Sequence, residues 1–476
     1  MALTVGPVTP AVGLPPITIV LNKASLTPQS SNPTGTRLRT ATPTPGPTLT
    51  PTPSGSTEKI DKEDELKLVQ AAYDALLKYL YKEPNTAQLL KAGLAELGFV
   101  TGLAPPTLDF GQNAETNWNL FKDGYNKMVD EALAKGLKYP KHQLAYRLVN
   151  AIAETVGDEH TYFLDNIGYE NRQHLLQGDN SSTGFGVLVS IDEDKAYVMR
   201  VVAGSPADKA GLKAGDQLVR YDDVVINSRN WQSLRKSQTD EPHTFIINRL
   251  GQTELLTFSI TKQRYVIPTV EYRLINGHVG YVAIREFFTD VAEEINNALL
   301  DLQKQGANSW VLDVRNNPGG VSVDQVVGRF VPGGEIMGYT LDRNQRDPLK
   351  VSNEGVPAEY KGQPFNPILP LVLLINEGSA SSSEFLALAV HDFHLGMVIG
   401  EKSAGALGHT AAYPLGDGSA ISVTIDEYES KGGAKLNGSG VPPDLEIELS
   451  IADLVAGRDT QLTAGIEQLE KSLAKK

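Results

Sequence analysis

Residues 371–393, LVLLINEGSASSSEFLALAVHDF, run from an apolar stretch through a Gly-containing turn into a second apolar segment. The first stretch is almost wholly Leu, Val and Ile and too short for a stable helix, so it reads as a strand buried on both faces. The second carries apolar residues on a helical spacing after Ser381, and Ser381-x-x-Glu384 has the form of a capping box. A buried strand leading into a helix is half of an α/β unit, and the unit recurs outward. VGYVAI (279–284) precedes VAEEINNALLDLQKQG (291–306), SWVLDV (309–314) precedes SVDQVVGRFV (322–331), and GMVIGE (396–401) follows. This alternation predicts an α/β core over residues 263–476, closed by a last helix in TQLTAGIEQLEKSLAKK.

Toward the N-terminus the pattern changes twice. Residues 179–262 hold the strand-like runs TGFGVLVSI, KAYVMRVV, TFIINRL and LLTFSIT, with short helices between them. Residues 57–178 are helical, with Leu66, Leu68, Val69, Tyr73, Leu76, Leu77 and Leu80 spaced along one face. Residues 1–56 are rich in Pro, Thr, Ser and Gly and are expected to form an extended, disordered tether. Thr/Pro stalks of this kind suit an exported protein, so an extracytoplasmic place, cell envelope or secreted, is expected. The opening MALTVGPVTPAVGLPPITIV lacks a basic start and is broken by prolines, so it does not read as a signal peptide.

Composition narrows the function. The chain has 476 residues, a net charge of −14 and no cysteine. Its length predicts more than one domain. The acidic balance argues against nucleic acid or an anionic membrane as partner. Without cysteine there is no disulfide, thiolate metal site or thiol nucleophile. No apolar run reaches the roughly 18 residues that a membrane span needs. No metal or organic cofactor is implied.

Candidate chemistry sits at four places. Ser381, at a strand-to-helix turn, is either a nucleophile at the sheet edge or simply the helix cap. DVRNNPGG, Asp313 to Gly320, offers backbone N–H groups to an oxyanion, or is only a tight turn. His160 in GDEHTYF, beside Asp158 and Glu159, is a candidate base or a surface residue. TGFGVLV with VVAGSPADKAGLKAGDQLVRYDDVVI is the most specific pattern. Its glycine-rich strand start offers N–H groups to a peptide carboxylate, and the strand that follows accepts an added β-strand.

Together these residues resemble the C-terminal processing, or tail-specific, serine peptidases. GSPADKAGLKAGDQLV is similar to the PDZ domain those enzymes carry. GHVGYVAIREFF, VLDVRNNPGG, LLINEGSASSSE, VIGEKSAGA and GSGVPPDLEI resemble their successive core motifs in family order. The resemblance implies a crotonase/ClpP-like α/β core with an inserted PDZ domain and an N-terminal helical domain. It implies Ser381 as nucleophile and the N–H groups of Gly319 and Ser382 as oxyanion hole. Gly184, Phe185, Gly186 and Val187 would hold a substrate's terminal carboxylate. The segment NWQSLRK would face them and read side chains through Trp231 or Leu234. The partners implied are proteins or peptides with exposed C-termini.

The general base departs from the family. Where the lysine-dependent branch carries its lysine, this chain has Ala406, with Thr410 four residues on. The pattern is instead similar to the tricorn-protease-like branch, whose catalytic histidine matches His160. That branch's supporting groups fall at Glu159 and Asn437. Lys402 and His409 are the other candidate bases, and Asp158 or Glu159 would orient His160. The expected function is a serine endopeptidase acting through an acyl-enzyme. The alternative is a weak or inactive pseudopeptidase that works as a peptide-binding scaffold. An acyl-CoA enzyme is suggested by the core alone and is opposed by the PDZ.

Overall fold

Helices come first among the residues the structure describes. The computed structural model describes residues 61–474 except 159, 178, 193, 228–229, 232–240, 289 and 355–368. The tether at 1–56, Glu159 and Leu234 therefore lie outside the described residues. Helix α1 (Lys62–Tyr79) starts where the Asp61 carboxylate accepts from the N–H groups of Glu63 and Asp64. Its first turn carries Glu63, Asp64 and Glu65, which suits the positive end of the helix dipole. It buries Leu68, Val69, Tyr73 and Leu76 against α2 (Thr86–Thr101), α3 (Ala114–Ala134) and α4 (Gln143–Glu154). Glu65 itself is buried, accepting from the N–H groups of His142 and Ala145 at the start of α4.

The helical layer does not stand apart from the core. After α4 come β1 (Tyr162–Leu164) and α5 (Asn166–Leu176). Strand β1 pairs antiparallel with a strand from the far end of the chain, Tyr162 opposite Ser422. Leu415, Ile421 and Val423 of that distant hairpin pack into the helical core. The loop before β1, which carries His160, is thereby held against the C-terminal part of the chain.

The PDZ domain follows. Its entry and exit strands, β2 (Ser181–Gly184) and β9 (Gln263–Val266), pair with each other. Between them β3 (Val187–Asp192), β4 (Lys195–Val201), β5 (Gln217–Tyr221), β6 (Val224–Val225), β7 (His243–Asn248) and β8 (Leu256–Ile260) form one sheet, with β3 at its edge. The short helix α6 (Pro206–Ala210) is capped by the Ser205 hydroxyl and ended by Gly211.

The core sheet orders β10 (Val270–Ile275), β11 (Val279–Ile284), β12 (Ser309–Asp313), β15 (Leu371–Ile375), β16 (Met397–Gly400) and β20 (Leu445–Glu446). All but β10 run parallel. β11, β12 and β15 are buried at every residue, as strands covered on both faces should be. Helices α7 (Val291–Lys304), α8 (Val323–Val327) and α9 (Ser382–Asp392) cover one face, and α11 (Thr460–Leu473) the other. The short α10 (Ile451–Val455) leads into α11. Strands β13 (Ile336–Leu341), β14 (Arg346–Lys350) and β19 (Glu427–Ser430) form a side sheet. β17 (Thr410–Pro414) and β18 (Ala420–Thr424) make the hairpin that receives β1. The expected α/β core, PDZ domain and N-terminal helical region are all present. The loops that leave β12 and β15 emerge side by side at the carboxyl ends of parallel strands, where such sheets place their sites.

Candidate active site

The turn after β15 is stitched to the loop after β12. Asn376 Oδ1 accepts from the N–H groups of Asn316 (2.8 Å) and Gly378 (3.1 Å). The cluster's other serines are committed to this seam. Ser379 Oγ donates to Val314 O (2.8 Å), Ser382 Oγ to Gly320 O (2.8 Å) and Ser383 Oγ to Asn317 O (3.0 Å). Ser381 stands out by its backbone, with φ 51° and ψ −116°. A non-glycine residue at such angles stores strain of order 1–3 kcal/mol, and a strand-to-helix elbow of this kind presents a nucleophile at the sheet edge.

Glu384 does more than the cap reading required. Its carboxylate reaches back to the Ser381 N–H (2.9 Å), which is the glutamate half of a capping box. It also accepts from Ser403 Oγ (2.6 Å) and from the N–H groups of Gly405 (2.7 Å) and Ala406 (2.8 Å). The side chain is fully buried. Burial raises its pKa above the ordinary carboxylate range, and these hydrogen bonds oppose the rise without cancelling it. One carboxylate thus clamps the loop carrying Ala406 to the helix that Ser381 opens. The S-x-x-E signal pointed to Glu384, but as a local cap.

Gly319 is pressed directly on the elbow. A Cβ added there would lie 2.6 Å from Ser381 Cβ and 2.9 Å from the Ser382 nitrogen, and its φ is 100°. The Ser382 N–H, at the first position of α9, has no intrahelical acceptor and is available to an oxyanion. The Gly319 N–H departs from expectation, because it donates to Asn317 Oδ1 at 2.8 Å. Asn317 is held there by its own amide, which donates to Ile284 O. Gly319 can donate to an oxyanion only after releasing Asn317.

His160 is brought to this loop. Its Nε2 lies 2.9 Å from Ala406 O. A carbonyl only accepts, so Nε2 carries the hydrogen and Nδ1 is the acceptor. Asp158 does not orient the ring. It accepts the His160 backbone N–H (3.1 Å), the Thr161 N–H (2.6 Å) and Thr424 Oγ1 (2.9 Å), which makes it the fastener of this turn. Asn437 does not support the ring either, since its Oδ1 accepts from the Leu407 N–H at 3.0 Å. Lys402 is exposed. His409 has a carboxylate partner, which His160 has not among the described residues. Its Nδ1 is 2.9 Å from Asp426 Oδ1, and its ring stands edge-on to Phe385 at 5.6 Å, one helical turn beyond Ser381.

Behind the seam lies an ion network that sequence reading missed. Burial alone would raise the Asp313 pKa, but the charge and hydrogen bonds of Arg315, then Arg285 and Tyr281, hold it well below the usual carboxylate range. Arg315 donates to both Asp313 oxygens (2.9 and 2.7 Å), to both Asp459 oxygens (2.9 and 2.8 Å) and to Gln461 Oε1 (3.0 Å). Asp459 caps α11, so the last helix is tied to the loop that carries Gly319.

In the PDZ domain the expected carboxylate loop is compact. Phe185 O accepts from the Ala207 N–H and Gly186 O from the Val202 N–H, both at 2.8 Å. Gly186 has φ 81°, and a Cβ there would meet Ser205 Cβ at 2.1 Å. Gly184 pairs with Gln263 and Val187 with Val201, and the outer edge of β3 is open among the described residues. Trp231, expected to read side chains, is only 3% exposed and packs in the domain's core, where an indole is worth more buried than lining a groove.

Residues 278–447 match the model of peptidase family S41, and residues 197–249 match that of a PDZ domain. The chain is 28% identical over 355 residues to the carboxyl-terminal-processing protease of Synechocystis sp., covering 71% of this chain and 81% of that one. It is 29% identical over 342 residues to the one from Picosynechococcus sp., covering 69% and 80%. Among solved structures, a putative S41 protease from Bacteroides fragilis superposes with a TM-score of 0.55 at 16% identity, covering 85% of this chain and 97% of that chain, a likeness of fold.

Proposed function

This chain is a serine-type peptidase with a family S41 core and a PDZ domain, and on that premise we propose that it is an endopeptidase that takes hold of a protein's C-terminus and cleaves inside the chain. The observation that carries the reading is the strained Ser381 elbow, with Gly319 against it and Glu384 tying it to the loop that His160 touches. Ser381 Oγ attacks the scissile carbonyl while His160 Nδ1 takes its proton. The oxyanion is met by the Ser382 N–H and by the Gly319 N–H once Asn317 yields it. Collapse releases the amine, which takes the proton from the imidazolium, and leaves an ester on Ser381. Water, deprotonated by the same histidine, hydrolyses that ester. The substrate's end would lie along the open edge of β3, its carboxylate at Gly184–Val187.

A second assignment of the base is favoured by one observation, the Asp426 carboxylate on His409. The place of action proposed is outside the cytoplasm, on the strength of the Thr/Pro tract. No described helix is long and apolar enough to cross a membrane. The test is hydrolysis of an unfolded protein by wild type and by Ser381→Ala, with mass spectrometry for the acyl-enzyme. Cleavage by wild type alone supports the reading. Peptide binding without cleavage by either would make the chain a binding scaffold.

A further inference from the structure

β17 is the outer strand of the sheet β1–β18–β17, and no described strand pairs with its far edge. Two flanking bonds fix the phase of its ladder to β18. Ile425 N–H donates to His409 O (2.9 Å), and Leu415 N–H to Ser419 O (2.9 Å). The pairs Thr410–Thr424 and Pro414–Ala420 are therefore of the non-hydrogen-bonded kind, and so is Ala412–Ser422 between them. Thr410, Ala412 and Pro414 consequently turn their backbone groups away from β18. Arg172 of α5 agrees with that direction, since its Nη2 donates to Thr410 O (3.2 Å) as well as to Thr410 Oγ1 (2.7 Å). The N–H of Thr410 and both the N–H and the C=O of Ala412 have no protein partner among the described residues.

Proteins usually blunt such an edge with charged side chains, bulges or proline. β17 reads Thr-Ala-Ala-Tyr-Pro: it carries no charge, keeps an unbroken register and meets proline only at its last residue. Residues 410–413 are half-buried, so the open groups lie in a recess. The strand also starts beside the candidate site. It follows directly on His409, whose ring stands edge-on to Phe385 in the helix that Ser381 opens, and on the loop whose Ala406 carbonyl meets His160. From there it runs to the helical layer, where Tyr413 stacks on Tyr79 (4.0 Å) and Leu415 is buried. An extended chain laid along this edge would have one end at the Ser381 elbow.

We propose that the outer edge of β17 is the strand on which a polypeptide substrate pairs as it crosses Ser381. Ala412 makes the full rung of the added ladder, and the Thr410 N–H half of the next. Recognition there is by backbone, so extended segments of unrelated sequence fit and helical ones do not. This rests on the reading of the chain as a peptidase with Ser381 as nucleophile.

The test uses the full chain and a synthetic peptide spanning a bond that it cuts in an unfolded protein. Single N-methyl groups are placed in turn at the four residues on either side of that bond, the scissile amide excepted. On one side, KM should rise at least ~5-fold at alternate positions and stay unchanged between them, the period of an added strand. Ala412→Pro removes one edge N–H at a place where proline suits an edge strand. It should raise KM by a similar factor, with Tm and PDZ affinity for a free-acid peptide near wild type. Combined with the most damaging N-methyl group, its loss should be no greater than the larger single loss. A peptide carrying benzoylphenylalanine beside the scissile position, bound to Ser381→Ala and irradiated, should crosslink within residues 409–414, whether or not Ala412→Pro folds. N-methyl effects without alternation, losses that multiply in Ala412→Pro, or crosslinks confined elsewhere overturn the proposal. If cutting depends on Ser381 and any of these occurs, the edge alone fails. If wild type cuts nothing, or Ser381→Ala still cuts, the underlying reading fails.

Discussion

Ser381 and Gly319 divide the labour of the site between strain and absence. The serine is held at a backbone angle that L-residues avoid, and the glycine must lack a Cβ for the serine to stand there. Gly319→Ala should therefore lower turnover by at least ~100-fold, as loss of an oxyanion donor does, with peptide affinity at the PDZ intact. Normal turnover in that variant would mean that the glycine loop does not border the reacting carbonyl. The bases separate in the same way. His160→Ala is expected to reduce kcat by at least ~100-fold and exposed Lys402→Ala to leave it unchanged. A His409→Ala variant that is inactive beside a normal His160→Ala would transfer the role to the His409–Asp426 pair.

At the scale of elements, the clamp from α9 to the loop at 403–406 rests on one buried carboxylate accepting from four donors. In Glu384→Gln an NH₂ group faces N–H and O–H donors, so at least one bond becomes a clash of donors. We expect a stability loss of about 3 kcal/mol, read as a lower denaturation midpoint, together with reduced kcat. The raised pKa of Glu384 is a cost at neutral pH, relieved as pH falls through the folded value; glutamine does not titrate, so the variant's deficit should widen toward acid. For the PDZ, the open edge of β3 and the glycine loop predict that a free-acid peptide binds better than its amide. Charge-assisted hydrogen bonds to the carboxylate are worth about 1.5–3 kcal/mol, roughly a factor of 10–100 in Kd. Equal affinities measured by calorimetry would place the peptide's end elsewhere.

Across the whole molecule, the site is assembled from remote parts of the chain. Arg315 ties the glycine loop to α11, β1 ties the His160 loop to β18, and Arg343 donates from the core to the carbonyls of Leu76, Leu77 and Leu80 in the helical layer. The folded pKa of Asp313 lies below its unfolded value, so its contribution is fully present above the unfolded pKa and is lost as pH falls through the folded one. Asp313→Asn should therefore cost about 3–5 kcal/mol near neutrality, with the gap in Tm narrowing below about pH 4. A gap that stays constant down to pH 3 would remove the ion network from the account.

Local patterns in the sequence were enough for the elements and for the strand-to-helix turn that carries Ser381, the proposed nucleophile. Buried Leu/Val/Ile runs, a capping serine three residues before a glutamate and paired glycines after a strand are short-range signals, carried by sterics and by hydrogen bonds within a few residues. The apolar face of α1 was legible for the same reason, since its spacing is local. The partners were not. That Glu384 holds Gly405 and Ala406, that Asn317 occupies the Gly319 N–H, that Asp158 serves a turn and Asp426 serves His409, depends on which chain segments meet. Side-chain hydrogen bonds and ion pairs between distant residues follow from packing, and a linear pattern of carboxylates and histidines carries no record of it. The positions that carry the family's motifs were legible in the sequence, but the atom each one faces was decided only when the sheet, the helical layer and the PDZ domain closed on one another.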